Sequence, residues 1–136
     1  MKRVNFTDIN IGNIISFERK ISDNDIQRFV KLSGDENPLH IDKDYGEMSI
    51  FGNNIVHGML LASFFSKVVG MYFGENIIYL SQTLEFRKPA FVGDQIVIEG
   101  VVKSKSIITK IIVLKTSIKR REEIIINGNA KFQYLS

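Results

Sequence analysis

The feature that most constrains the fold is a long apolar stretch from Ile55 to Phe73. Its apolar side chains would cover nearly every side of a helix, and such a helix needs protein around most of its faces. The stretch is almost long enough to span a bilayer. Because it contains His57 and Lys67, we interpret it as a helix buried in protein and expect no membrane partner.

The second half of the chain predicts the elements that would cover this helix. Its apolar segments are rich in Ile, Val, Thr and Phe, partly alternate with polar residues, and are joined by short links. This pattern predicts strands in an antiparallel meander. The predicted strands are Ile77–Phe86, Gln95–Ser104, Ile107–Ile118 and Glu123–Tyr134, after an early short strand near Ile14–Ile21. The expected fold class is α+β, with an antiparallel sheet wrapped around a long central helix.

Length and composition indicate one domain, residues 1–136. The chain is 44% hydrophobic and 24% charged, which is an ordinary balance for a globular domain. It has only two prolines and no low-complexity run, so no flexible linker is expected. It has no cysteine, so disulfides, thiolate nucleophiles and cysteine-based metal sites are excluded. The N-terminal segment Met1–Phe6 has no apolar core of a secretory signal, and we expect a cytoplasmic protein.

Local signals place shorter elements before the apolar stretch. Ser22 and the acidic residues after it predict a helix start, and Gly34 predicts its end. A turn follows, and Leu39–Met48 predicts a short irregular helix. Asn53 or Asn54 is expected to cap the long helix.

Asp35 and His40 are the first candidate catalytic pair. They flank an Asn37-Pro38 turn, and proline restricts both its own backbone and that of the preceding residue. A bend there can aim both side chains at one water molecule, and this arrangement needs no metal ion. We expect no metal site here. The residues alone leave open a structural reading, with Asp35 in an Asx turn and His40 in the core.

His57 and Gly58 are the second candidate feature, at the predicted first turn of the buried helix. Backbone N–H groups in a first turn have no partner within the helix, and Gly58 has no side chain to obstruct an approaching oxygen. Gly58 can therefore stabilise a carbonyl oxygen that gains negative charge. Close packing against the sheet is the alternative for Gly58, and a structural role is the alternative for His57.

These segments together resemble one known family. Residues 34–42 read Gly-Asp-Glu-Asn-Pro-Leu-His-Ile-Asp, and Phe51 and His57-Gly58-Met59-Leu60 follow, with Phe86–Asp94 further on. This set is similar to the signature of the MaoC-like dehydratases, which include the (R)-specific enoyl-CoA hydratases. The resemblance extends over nearly the whole chain and implies a hot-dog fold.

The resemblance also implies an activity and roles for residues. The implied reaction is a hydro-lyase reaction, the reversible addition of water to a trans-2-enoyl thioester to give the (R)-3-hydroxyacyl product. Asp35 and His40 match the catalytic pair and Gly58 the oxyanion donor. Ser66 matches a site position, and Asn37 a residue that holds the turn. Gly46 stands where many relatives have alanine.

The implied carrier of the acyl group, coenzyme A or acyl carrier protein, is anionic. It is part of the substrate, and no cofactor is expected. Arg87 and Lys88, before Pro89, are candidate phosphate contacts, with solvent-exposed strand ends as the alternative. Residues 100–121 contain seven basic and no acidic residues, in a chain of net charge +3. They lack any nucleic-acid-binding motif, so lysine-edged strands or a surface for an acidic carrier are the remaining interpretations.

Several functions stay open on the sequence. The first is an enoyl-CoA hydratase in fatty acid metabolism, and the second a 3-hydroxyacyl-[acyl-carrier-protein] dehydratase with the same site. A non-catalytic acyl-thioester-binding module would need neither Asp35 nor His40. A thioesterase would release free thiol. The resemblance further implies a homodimer or higher oligomer, with sheets joined edge to edge.

Overall fold

The computed structural model describes residues 4–135; residues 1–3, which begin the N-terminal segment assessed above, and Ser136 lie outside the described part. Its main feature is one antiparallel sheet with the strand order β1-β4-β5-β6-β2, and a short β3 that also pairs with β6. The strands are β1 Ile14–Lys20, β2 Ile77–Gln82, β3 Glu85–Phe86, β4 Gln95–Lys105, β5 Ile111–Arg120 and β6 Glu123–Tyr134.

Within residues 4–135, five short α-helices and one turn of 3-10 helix at Phe6–Asp8 accompany the sheet. The α-helices are α1 Asp23–Ser33, α2 Pro38–Ile41, α3 Lys43–Met48, α4 Gly58–Ala62 and α5 Phe65–Tyr72. The predicted limits of α1 are confirmed: Ser22 and Asp25 form a reciprocal capping box, and Gly34 ends the helix in the left-handed region at φ +77°. The limits of α1 therefore follow from local chemistry.

The core lies between the inner face of the sheet and helices α4 and α5. Side chains less than 5% exposed come from both layers. The helices contribute Leu60, Leu61, Phe65, Val68 and Val69, and the strands contribute Ile98, Ile112, Leu114, Ile118, Ile126 and Phe132. The α+β class and the sheet around a central helical layer are confirmed.

The single long helix predicted over Ile55–Phe73 is wrong in detail. Ile55 and Val56 are extended, because their N–H groups bond to the carbonyls of Leu39 and Ala90 at 3.3 and 2.8 Å. Between α4 and α5 the Phe64 N–H bonds to the Leu61 carbonyl, and the Ser63 hydroxyl bonds to the Leu60 carbonyl. These bonds to residues three positions back tighten the turn and interrupt the α-helix.

Two strand predictions are also corrected. The segment Ile77–Phe86 forms two strands, because Thr83 crosses close over Gly128; a Cβ on Gly128 would lie 1.8 Å from the Thr83 carbonyl oxygen. The segment predicted as Ile107–Ile118 begins as a turn, with Lys110 at φ +59°, and the strand starts only at Ile111.

The connectivity is a meander only for the last three strands, β4, β5 and β6. The strand β2 pairs with β6 at one edge and β1 pairs with β4 at the other. Within residues 4–135, the chain has no helix of the length and apolar character needed to cross a membrane.

Candidate active site

A cleft of about 460 Å³ opens beside the start of α4. Its floor is apolar and buried, and it is formed by Val56, Leu61, Ala90 and Ile126. Its rim carries exposed or half-exposed side chains, among them Phe51, Met59, Phe86, Arg87 and Lys88. Asp35, His40, His57 and Gly58 all line this cleft, so the structure brings most of the predicted site residues together.

Asp35 is held by the turn that follows α1. One oxygen of its carboxylate accepts a hydrogen bond from the Asn37 N–H at 3.2 Å, and its own N–H donates to the Ser33 hydroxyl at 3.1 Å. The carboxylate is exposed at the cleft. The Asx turn and the cleft-facing carboxylate, posed as alternatives from the sequence, are therefore both present in the same residue.

His40 lies on α2 and is half-buried. Its Nδ1 lies 2.7 Å from the Ile55 carbonyl oxygen. A carbonyl only accepts, so Nδ1 carries the hydrogen and Nε2 is left to accept a proton from, or return one to, a molecule in the cleft. The carboxylate of Asp35 and a ring nitrogen of His40 lie within 4.8 Å of each other, a separation that one water molecule can bridge.

Asn37 supports this pair from behind. Its side-chain oxygen accepts from the Leu39 N–H at 3.0 Å and caps α2, with Pro38 in the first turn. It is not among the residues that line the cleft. These bonds are consistent with the role that the resemblance implies for Asn37, which is to hold the turn.

His57 is only 2% exposed. Its ring stacks on that of His40, with centroids 3.9 Å apart, and tilts against Phe29 at 4.9 Å. Its Nε2 lies 3.1 Å from the Asp35 carbonyl oxygen. His57 thus contacts both Asp35 and His40 at once, and it supports their positions in the cleft wall.

The protonation state of His57 follows from its surroundings. Burial is the largest influence and lowers the pKa of His57 below its ordinary value; the hydrogen bond to Asp35 opposes this, and the nearby His40 lowers it further. The ring is therefore neutral near pH 7, with its hydrogen on Nε2, where the carbonyl accepts it. Among residues 4–135, the buried Nδ1 has no hydrogen-bond partner.

The same groups have the spacing of a possible metal site. One carboxylate oxygen and one nitrogen from each histidine lie within 4.8 Å of one another. However, the two rings are stacked, so their nitrogen lone pairs lie in two nearly parallel planes, whereas the lone pairs of two ligands of one ion point to the same place. The arrangement of Asp35 and His40 is better suited to orienting a water molecule.

Gly58 is the first residue of α4 and is half-buried at the cleft. Its N–H has no acceptor within its own helix, because it precedes the first helical hydrogen bond. A Cβ at this position would lie 2.6 Å from the Phe86 ring. Close packing and an available N–H therefore coincide at Gly58.

The remaining predicted residues differ in their placement. Arg87 and Lys88 line the cleft and are each paired, Arg87 with Glu85 at 3.0 Å and Lys88 with Glu123 at 2.8 Å. Ser66 is exposed on α5 and is not among the cleft-lining residues. The Arg87 and Lys88 positions at the rim suit contacts with an anionic carrier.

The predicted cap of the long helix is wrong, and Asn54 is the residue that sequence reasoning missed. The N-cap position of α4 is His57, whose side chain makes no capping hydrogen bond, while the Asn54 amide reaches back to three carbonyls around α2. The one signal in the sequence was Gly46, whose missing side chain leaves room for Asn54.

A family model described as the MaoC like domain matches residues 10–124. The chain belongs to the MaoC-like domain family. The resemblance stated on the motif residues is thus confirmed. The likeness of this MaoC-like chain to named proteins extends over most of its length.

Three similar proteins illustrate this. A relative from Rhodospirillum rubrum named (R)-specific enoyl-CoA hydratase is 35% identical, over 92% of this chain and 88% of its own length. A mitochondrial 3-hydroxyacyl-[acyl-carrier-protein] dehydratase from Solanum lycopersicum is 35% identical, over 90% and 75%. The solved structure of an (R)-hydratase from A. caviae matches with a TM-score of 0.88 and 34% identity, over 93% and 97% of the two chains. The structural match confirms the hot-dog fold for this MaoC-like domain.

Proposed function

We propose that this protein is an (R)-specific enoyl-CoA hydratase, which adds water reversibly to trans-2-enoyl-CoA to give (R)-3-hydroxyacyl-CoA. The observation that carries the proposal is the carboxylate of Asp35 within 4.8 Å of a ring nitrogen of His40, in a cleft with an apolar floor. The R. rubrum and A. caviae proteins, named for this activity, support it.

The pair would act on a water molecule. The Asp35 carboxylate accepts one of its hydrogens and Nε2 of His40 accepts the other, because Nδ1 already donates to Ile55. The water oxygen forms a bond to C3 and releases a proton to the pair. The π electrons of the C2=C3 bond move toward the thioester, and C2 then takes up a proton from the pair, so that one water is added overall.

Gly58 would hold the thioester oxygen while it carries negative charge. Gly58 lines the cleft at the start of α4, where its N–H has no acceptor within its own helix, and removal of one such donor typically costs about 3 kcal/mol of barrier. No step of this mechanism requires a cofactor or a metal. The apolar floor would take the acyl chain, and Arg87 and Lys88 at the rim would meet the phosphates of the carrier.

The experiment that tests the proposal compares Asp35→Asn with Glu36→Gln, using crotonyl-CoA as substrate. Loss of the conjugated double bond is followed by absorbance, and chiral analysis identifies the product. We expect Asp35→Asn to fold and to lose at least about a thousandfold in rate, because it cannot take up a proton. Glu36 lies in the same loop but does not line the cleft, so Glu36→Gln should match the parent.

The other functions would give different results in this assay. Turnover by folded Asp35→Asn at the parent rate would refute the assignment of the pair. Release of free thiol by the parent would indicate a thioesterase, and binding without turnover would indicate an acyl-thioester-binding module. An (S)-product would contradict the proposed stereochemistry.

Dehydration of 3-hydroxyacyl-[acyl-carrier-protein] is the second candidate function. The S. lycopersicum relative is named for it, and the exposed basic residues of the segment 100–121, among them Lys103, Lys110, Lys115 and Arg121, offer positive charge to an acidic carrier. Rates on matched CoA and carrier-protein substrates separate the two. A kcat/KM at least tenfold higher on the carrier-protein substrate would favour the dehydratase.

We also propose that the protein works as a homodimer in the cytoplasm. Strand β2 ends the sheet and exposes Ile78 and Leu80, each 47% accessible, and an apolar sheet edge favours pairing with a second edge. The absence of cysteine suits a reducing compartment.

A further inference from the structure

We propose that Asn54 is a positioning residue for His40, and that Gly46 provides the space that it needs. The inference rests on the proposed function of the cleft. Asn54 does not line the cleft and would touch no substrate, so it would act only through the groups that it holds.

The Asn54 side chain fastens the segment that carries His40. Its Nδ2 donates to the carbonyl of Asp42 at 2.8 Å and to that of Leu39 at 3.0 Å, with the Pro38 carbonyl at 3.4 Å. These carbonyls belong to α2 and to its junction with α3. Both ends of the four-residue helix that bears His40 are therefore tied to one amide.

The next residue orients the His40 ring itself. The Ile55 carbonyl accepts from His40 Nδ1 at 2.7 Å, and the Ile55 N–H donates to the Leu39 carbonyl at 3.3 Å. The position of Ile55 depends on Asn54, to which it is directly bonded along the chain. Displacement of Asn54 would thus move the acceptor that keeps the hydrogen on Nδ1 and leaves Nε2 for water.

Gly46 is required for this arrangement. It is buried in α3, and a Cβ at this position would lie 2.4 Å from Asn54 Nδ2 and 2.6 Å from the Asn54 backbone nitrogen. The Asn54 N–H donates to Asn53 Oδ1 at 2.8 Å, so the backbone is held on that side too. An alanine at position 46 would push Asn54 off the three carbonyls.

The test uses ring-¹⁵N-histidine NMR, which suits this chain because His40 and His57 are its only histidines. The parent should show His40 with its hydrogen on Nδ1 and His57 with its hydrogen on Nε2. In Asn54→Ala we expect the His40 signals to move toward an average of the two tautomers. We also expect kcat on crotonyl-CoA to fall about tenfold, with KM within about twofold, because only orientation is disturbed.

Two further variants complete the design. Gly46→Ala removes no hydrogen-bonding group and should give the same pattern; it also carries the test if Asn54→Ala does not fold. Ser22→Ala loses the cap of α1 away from the cleft, and should lower stability without changing the His40 signals or kcat.

The proposal is overturned if Asn54→Ala, or Gly46→Ala in its place, leaves the His40 signals as in the parent, whatever happens to the rate. It is also overturned if the Ser22→Ala control shifts them equally. Since the NMR measurement needs no substrate, a parent that does not hydrate crotonyl-CoA would refute the proposed function and leave this test of positioning intact.

Discussion

At the scale of single residues, His57 makes the stability of the protein depend on pH. Burial holds its pKa below the ordinary value of 6.5, so the unfolded chain binds a proton at this residue more readily than the folded one. The contribution of His57 to stability is complete above about pH 6.5 and is lost as the pH falls toward the lower, folded-state pKa.

We therefore expect the parent to lose more free energy of unfolding than His57→Gln between pH 7.5 and 5.5. Glutamine cannot titrate, and its amide can still donate to the Asp35 carbonyl. Urea unfolding at the two pH values measures the difference. Equal losses in both proteins would contradict the burial argument, and an NMR titration of the parent would show whether His57 titrates below 6.5.

The juxtaposition of Asp35 and His40, the proposed catalytic pair, was predictable from the sequence because the two residues are close in the chain. Asp35 and His40 are separated by one proline-containing turn, and the capping bonds within that turn hold the Asp35 carboxylate and the start of the helix that carries His40. The part played by Asn54 could not be predicted, since its hydrogen bonds join residues 12 to 16 positions apart. Such contacts exist only once α3 has packed against the segment before α4.

At the scale of elements, the start of α1 gives a direct stability prediction. The Ser22 hydroxyl accepts from the Asp25 N–H, while the Asp25 carboxylate accepts from the Ser22 N–H at 3.0 Å and pairs with Arg19 at 2.6 Å. Ser22→Ala removes one of these bonds and should lower the free energy of unfolding by about 1 kcal/mol. Urea unfolding at pH 7 checks the value, and Ser22→Asp, which keeps an acceptor, should recover most of it.

The limits of α1 were predictable because the residues that set them lie within one turn of each helix end. Ser22→Ala is informative for the same reason, since it changes one of these residues. The interruption between α4 and α5 was not predictable, because the residues there, Ser63 and Phe64, are neither glycine nor proline. Tertiary packing against the sheet decided it, with Leu61 and Phe65 both buried on either side. The strand order could not be predicted from the sequence either, since β2 pairs with the last strand and not with its nearest neighbour in the chain.

At the scale of the whole molecule, the two edges of the sheet provide the test of the proposed dimer. Both edges expose an isoleucine, Ile78 on β2 at 47% and Ile14 on β1 at 62%. If two β2 edges pair across a two-fold axis, Ile78→Lys places like charges in one apolar seam, and the dimer should dissociate. The same substitution at Ile14 lies on the other edge of the sheet and should leave the dimer intact.

Light scattering after size-exclusion chromatography measures this directly. We expect the parent and Ile14→Lys at twice the 15.5 kDa of one chain, and Ile78→Lys at 15.5 kDa. A monomeric parent would refute the dimer, and dissociation by Ile14→Lys alone would move the interface to β1.

Because the cleft of one chain already contains Asp35, His40 and Gly58, an Ile78→Lys monomer that still hydrates crotonyl-CoA would show that one chain suffices for the chemistry. An inactive but folded monomer would instead show that the cleft depends on the second chain, for example through the exposed Ser66 of α5.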